Sequence, residues 1–247
     1  MHYIVFDLEF NQDISSLQNP EMKIFQCPFE IIQIGAIKLD LEFNIVDTFN
    51  SFVKPTIYGK INPFITNLTG ITTERLLSEN TFPSVYSEYI KFIDETDSIF
   101  CTWGMSDLSV LFKNIDYHNL NSKLITKHFI NLQPYVSKYL DLPSKNLLQL
   151  KLAAEELNIP LKHEFHDALN DAYYTAEIFK KIHTSYMQPQ LYDPSYIKIR
   201  TKQIKKEPDF LRLVQQFEKM YARNMSEEEQ DMIKLAYKMG KTGQFLK

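Results

Sequence analysis

The sequence predicts an α/β domain with a mixed sheet, followed by a helical C-terminal extension. Three observations lead there. Strand-like segments rich in Ile, Val and Phe crowd residues 2–53. Helical and strand patterns then alternate, as they do when helices cover a sheet. Past Gln188-Pro189 the charge balance changes sign.

Taken in order, His2 to Glu9 reads as the first strand, and Glu30 to Leu39 and Ile45 to Val53 as the next two. Asp40-Leu41-Glu42-Phe43-Asn44 between the last two suits a hairpin turn. Gln12 to Pro28 has no clean period and holds two prolines, which predicts a long loop shaping a substrate entrance. Pro83 to Asp94 carries Val85, Tyr89, Phe92 and Ile93 as a helical stripe. Ser98 to Trp103 is a short strand. Ser106 to Ile115 is a helix with Leu108, Leu111 and Phe112 on one face. Helices follow at Asn131 to Leu140, Asn146 to Leu157 and Asp167 to Tyr186, the last with Asp167 as N-cap and Ala168, Ala172, Thr175 and Phe179 on one side. Gln188-Pro189 to Pro194 marks a domain edge, giving a domain over 1–187 and an extension over 188–247. In the extension, Asp209 to Tyr221 and Glu227 to Met239 read as helices, the second opened by a Ser226/Glu229 capping box.

The 247 residues are 44% hydrophobic and 13% aromatic, which excludes a disordered chain. No apolar run approaches the roughly 20 residues that span a bilayer. Met1-His2-Tyr3-Ile4 opens directly on strand-like sequence, so no signal peptide is expected. Two cysteines, Cys27 and Cys101, without a Cys-x-x-Cys, suit a reducing cytoplasm and argue against a cysteine zinc site. The net charge of −4 conceals an asymmetry. Residues 198–247 hold 12 Lys+Arg against 7 Asp+Glu, net +5, and the other 197 hold 15 against 24, net −9. The basic segment is open to three readings: a solvated helical surface, a self-association element, or an arm contacting phosphates beside an acidic body.

Four acids and a histidine stand out: Asp7, Glu9, Asp107, Asp171 and His166. On a strand, residues two apart share a face, so Asp7 and Glu9 project together. With Ile4, Val5 and Phe6 beside them, that strand is central and buried. Two like charges ~4 Å apart at an effective dielectric near 20 repel by on the order of 4 kcal/mol. Asp107 and Asp171 would multiply the repulsion if they converge there. A hard divalent cation such as Mg²⁺ or Mn²⁺ resolves it. Taken singly, each residue has an ordinary explanation: a polar strand end, or a surface histidine before a helix. His163 is a nearby competitor and reads as surface, while Asp167 reads as a cap.

Together, the segments Phe6-Asp7-Leu8-Glu9-Phe10, Glu30-Ile31-Ile32-Gln33-Ile34-Gly35-Ala36, Val53-Lys54-Pro55, Leu68-Thr69-Gly70-Ile71-Thr72, Trp103-Gly104-Met105-Ser106-Asp107 and His166-Asp167-Ala168-Leu169-Asn170-Asp171-Ala172 resemble, in this order, the DEDDh family of 3′-to-5′ exonucleases within the RNase H-like superfamily. The resemblance covers Tyr3 to Ile182 and is nearest to the branch of ERI-type RNA exonucleases and KapD-like proteins. Gln33 departs from it, standing outside the metal shell where many members carry an acid.

The resemblance implies an RNase H-like sheet and two Mg²⁺ or Mn²⁺ ions held by Asp7, Glu9, Asp107 and Asp171. Asp7 would bridge the ions. Glu9 and Asp171 would help hold the one that binds the attacking water, and Asp107 would act near the second. His166 would be the general base. The substrate would be single-stranded nucleic acid, RNA favoured over DNA, degraded to nucleoside 5′-monophosphates. Phe10 and Leu68-Thr69-Gly70 would lie beside the terminal nucleotide. Phe10 is equally open to plain core packing. For Trp103, core or cleft wall is weighed against base stacking. The competing functional class is a non-catalytic nucleic-acid-binding or assembly module that keeps the fold. It is motivated by the basic C-terminal segment and opposed by the intact acid set.

Overall fold

The structure, a computed structural model, describes residues 1–12, 27–94, 97–143, 146–194 and 208–241. The entrance loop expected over 12–28 lies almost wholly outside them. The chain divides into two compact units, Met1–Ile197 and Lys198–Lys247.

The first unit is built on a six-stranded mixed sheet. In chain order its strands are β1 (Tyr3–Asn11), β2 (Glu30–Leu39), β3 (Ile45–Phe52), β4 (Ile99–Thr102), β5 (His128–Asn131) and β6 (Gln190–Leu191). Their spatial order is β3-β2-β1-β4-β5-β6. The first three form an antiparallel meander, β4 and β5 add in parallel, and β6 closes antiparallel on β5. The β2–β3 turn is tied by Asp40, whose amide donates to Asn44 O and whose carboxylate accepts from Asn44 N. Because β6 pairs with β5, residues beyond Gln188 join this unit, and the two units part at 197/198 rather than 187/188.

The helices are α1 (Pro63–Thr69), α2 (Thr73–Leu76), α3 (Phe82–Ile93), α4 (Ser106–Tyr117), α5 (Leu132–Tyr139), α6 (Leu150–Glu156) and α7 (Ala168–Ile182). Strand β1 alternates cleanly. Ile4, Phe6 and Leu8 enter a core with Val85, Tyr89, Phe92, Leu108 and Leu111 of α3 and α4. Val5 enters the opposite core with Ala172, Ile178 and Phe179 of α7. Burying each large apolar side chain contributes roughly 1.5–3 kcal/mol, so both cores pin the register of β1. Asp7 and Glu9 follow the parity of Val5 and face α7.

Two contacts seat α7. A Cβ on Gly35 would lie 2.1 Å from the Ala168 carbonyl carbon, so only glycine lets the helix backbone come this near β2. Asp167 caps the helix, its side chain accepting from Asn170 N. Two expected helices are shorter than their patterns: α6 starts at Leu150, where Gln149 is extended, and α7 stops at Ile182, where His183 turns extended.

The second unit is a pair of helices, α8 (Phe210–Tyr221) and α9 (Glu227–Lys241). Asp209 caps α8. Ser226 and Glu229 form the reciprocal capping box, Ser226 N donating to Glu229 and Glu229 N to Ser226 Oγ. Arg223 clamps the same Glu229 with two N–H groups. Residues 208–241 carry six basic and six acidic side chains. The basic excess of the extension therefore comes from 198–207 and Lys247, which lie outside the described residues.

Candidate active site

Strand β1 pairs with β4 only through Tyr3, Ile4 and Val5. Beyond Val5 the strand runs on to Asn11 with its β4 side open. Asp7 and Glu9 sit in that stretch, just before a bulge at Glu9/Phe10. They are interior to β1, which runs further than expected. Strand β4 ends at Thr102, and the chain turns through Gly104 (φ 93°) into α4. Gly104 N donates to Asn131 Oδ1, which ties this turn to the end of β5. Asp107, in the first turn of α4, is buried beside the backbone of Leu8, between the two acids of β1.

From the other side, α7 brings Asp171. One of its oxygens, Oδ2, accepts from His166 N at 3.2 Å. The other, Oδ1, is buried with no hydrogen-bond partner among the described residues. His166 precedes the helix in the left-handed region (φ 67°), a conformation that costs an L-residue on the order of 1–2 kcal/mol. Its bond to Asp171 offsets part of that. One ligand atom each of Glu9, His166 and Asp171 lies within 4.8 Å of the others, with Asp171 buried and His166 exposed.

The electrostatics fit one shared cluster. Burial raises the Asp7 carboxyl well above its usual range, helped by Asp107, Asp171 and Glu9. Glu9 is pushed up to about 8 by burial, then by Asp171 and Asp107. Asp107 rises to about 7, from burial and Asp171, held back by the Leu8 amide and its own. Asp171 rises to about 7 from burial, against the His166 amide. Among the described residues no cation is a cause of any of these shifts, so the crowding of carboxyls is not offset by a neighbouring positive side chain. Oxygen donors, partly buried, with one orphaned carboxylate oxygen, fit a hard divalent cation.

The structure thus brings Asp7, Glu9, Asp107, Asp171 and His166 together. His163 stays apart: its backbone is tied to the Tyr174 hydroxyl and its ring packs edge-on to Tyr173. The residues expected at the terminal nucleotide do not join the cluster by any hydrogen bond among the described residues. Phe10 packs edge-on against Phe29, at 5.1 Å between ring centroids. Leu68 and Thr69 close α1 rather than forming a loop, with Gly70 (φ 72°) as its C-cap. Trp103 packs against the core beneath α7, its indole Nε1 buried and unpartnered among the described residues.

Two residues that the sequence reading did not assign to the site support it. Asn11, fully buried, donates to Lys60 O and accepts from Asn62 N, tying the start of α1 to the end of β1. Gln33, also buried, bonds Asp167 and Ala168 at the head of α7. Gln33 is a polar residue inside an apolar strand and Asn11 is the buried last residue of another, and a buried polar group of this kind must find partners.

A mixed sheet flanked by helices, with acids at the open end of its central strand, is the RNase H-like exonuclease fold. Residues 4–179 match the RNase_T exonuclease model, and the chain belongs to that family. Among curated relatives, it is 33% identical over 159 residues to a PolC-type DNA polymerase III of Thermotoga maritima, covering 61% of this chain and 10% of the polymerase. It is 27% identical to rat 3′-5′ exoribonuclease 1, over 60% of this chain and 45% of that protein. It is 26% identical to the probable 3′-5′ exonuclease KapD of Bacillus subtilis, over 62% and 73%. The chain thus matches a tenth of the polymerase and under half of the exoribonuclease. Among solved structures, the nuclease domain of 3′hExo, a DEDDh family member bound to rAMP, superposes with TM-score 0.64 at 22% identity, over 78% of this chain and 96% of that one. Exonuclease I of E. coli with a dA16 oligonucleotide gives 0.57 at 15%, over 73% and 40%.

Proposed function

We propose that this protein is a divalent-cation-dependent 3′-to-5′ exonuclease that removes nucleoside 5′-monophosphates from single-stranded nucleic acid, RNA in preference to DNA. The observation that carries the reading is the convergence of Glu9, His166 and Asp171 within 4.8 Å, beside Asp7 and Asp107. Asp7, Glu9, Asp107 and Asp171 would hold two Mg²⁺ or Mn²⁺ ions. The orphaned Asp171 Oδ1 and the cation-starved carboxyls support that assignment. Bound there, the ions would acidify the attacking water and offset charge on the scissile phosphate.

The chain's own groups supply the rest. Glu9 and Asp171 fix the side from which water attacks. His166, exposed and set by the hydrogen bond that its backbone N–H donates to Asp171, takes the proton from that water as general base, a contribution typically worth ~10²–10⁴-fold. We assign the terminal nucleotide to the rim formed by Phe10, Leu68, Thr69 and Gly70, with Trp103 as a wall of the cleft. Leu68 is exposed there, and α1 is anchored to β1 two residues beyond Glu9. The RNA preference is supported by the exoribonuclease relatives and by the rAMP-bound neighbour. Cytoplasmic residence is supported by two free, buried thiols, Cys27 and Cys101.

The test is a paired assay on 5′-labelled RNA and DNA oligonucleotides with Mg²⁺, Mn²⁺ or EDTA. A ladder growing from the 3′ end, faster on RNA, abolished by EDTA and by Asp7→Ala, is the expected result. The absence of a ladder on both substrates, or an unchanged rate in Asp7→Ala, overturns the proposal.

A further inference from the structure

We infer that Gln33 is a positioning residue for the proposed reaction: its side-chain amide locks the head of α7, and with it His166 and Asp171, onto the strand opposite Glu9. The inference rests on the exonuclease reading. Gln33 lies directly across from Glu9 in the β1–β2 register and is 1% exposed. Its Nε2 donates to Asp167 Oδ2 at 2.8 Å and to Asn50 Oδ1 at 3.0 Å. Its Oε1 accepts from Ala168 N at 3.2 Å. One amide therefore joins β2, β3 and the first turn of α7, using both of its donors.

The chemistry of the partner explains why an amide stands here. Asp167 divides its carboxylate: Oδ1 caps α7 by accepting from Asn170 N, and Oδ2 accepts from Gln33. His166 is the next residue back, and Asp171 is one turn on. A glutamate at position 33 would lose both donors and set a second carboxylate against Asp167, in a cluster already crowded with negative charge. A leucine would leave Asp167 Oδ2 and Ala168 N without partners in a buried place. Gln33 and Asp167 act as a donor–acceptor pair whose polarity can be reversed. Combining Gln33→Glu with Asp167→Asn would restore the contact, the new side-chain amide at position 167 donating to the new carboxylate at position 33. The amide oxygen at 167 would still be able to cap the helix.

The experiment compares wild type, Gln33→Glu, Asp167→Asn and the double swap, well below their melting temperatures. It measures kcat and KM on a 5′-labelled oligonucleotide, and the Tm rise on adding Mn²⁺. A shift of the head of α7 near 1 Å lowers kcat roughly 10–100-fold. The expected result is that loss in Gln33→Glu with KM within about threefold, a smaller Mn²⁺ response, and recovery of both in the double swap. A kcat equal to wild type in Gln33→Glu, or a double swap no better than Gln33→Glu, overturns the inference. A wild type that degrades no oligonucleotide sinks the exonuclease reading instead. The Mn²⁺ response of the four proteins then still decides whether Gln33 positions Asp171, since loss and rescue support it and four equal responses refute it.

Discussion

Replacing Asp171 with Asn should make the metal-free protein more stable at pH 8 while abolishing its response to divalent cations. Asp171 is 8% exposed, and its carboxyl is raised from 3.8 to about 7, chiefly by burial. A carboxyl that holds its proton more tightly when folded makes folding take up protons. Its contribution to stability is whole below about pH 4 and is lost as pH rises through about 7. About 3 pH units at 1.36 kcal/mol each sets a ceiling of ~4 kcal/mol. Neighbouring Glu9, Asp107 and Asp7 titrate together with it, so about 2–4 kcal/mol is expected. For a unit of this size that corresponds to a Tm higher by roughly 5–10 °C. Asparagine keeps an acceptor for His166 N and brings no charge. Thermal melts in EDTA at pH 5, 6, 7 and 8 are the assay, repeated with Mn²⁺. Wild type should lose stability steadily over this range and regain most of it with Mn²⁺ at pH 8. The variant should show a flatter profile and no Mn²⁺ gain. A variant melting no higher than wild type at pH 8 in EDTA, with the same slope, would refute the idea that desolvated like charges strain this site.

Three further outcomes are expected. His166→Ala should lower the single-turnover cleavage rate by ~10²–10⁴-fold while the Mn²⁺-induced Tm rise persists, because the histidine serves the proton and the carboxylates serve the cation. Gly35→Ala should destabilise by about 3 kcal/mol or more in urea titrations, since its Cβ would meet backbone atoms of Ala168 that no rotamer change can move aside. Glu30→Ala should cost about 2–3 kcal/mol by the same measure, because the buried Glu30 carboxylate accepts from three successive amides, Thr56, Ile57 and Tyr58.

Most of the elements were legible in the sequence where the hydrophobic period was long enough to count. Strand β2 matches its expected limits, and α3, α4 and α5 fall within a residue or two of theirs. The failures differ in cause. Strand β5 has four residues, one of them exposed His128, and β6 has two, and both owe their conformation to neighbours in the sheet. Helix α1 was missed although its signals are local: Asn62 as N-cap, Pro63 at its start and Gly70 after its end. The edge expected at Gln188 moved to 197/198 because pairing with β5 overrides the turn-rich composition around Pro189.

For the site, the residue types and their order were written in the chain. Asp7 and Glu9 share a face by strand geometry alone, and Asp167 was recognisable as a cap. Asp107, Asp171 and His166 stood out beside them, and resemblance joined the five into one expected site. Only the tertiary structure decided that these groups meet. Asp107 comes up beside β1 because β4 ends early and leaves that strand open, and Asp171 reaches His166 because that residue turns left-handed before α7. The supporting contacts were legible least of all. Gln33 to Asp167 spans 134 residues, and Asn11 to Asn62 spans 51. A sequence read locally carries propensity and periodicity, which act over a few residues. Burial, charge crowding and the docking of α7 on Gly35 depend on chain segments far apart in sequence, and they exist only once the sheet has folded.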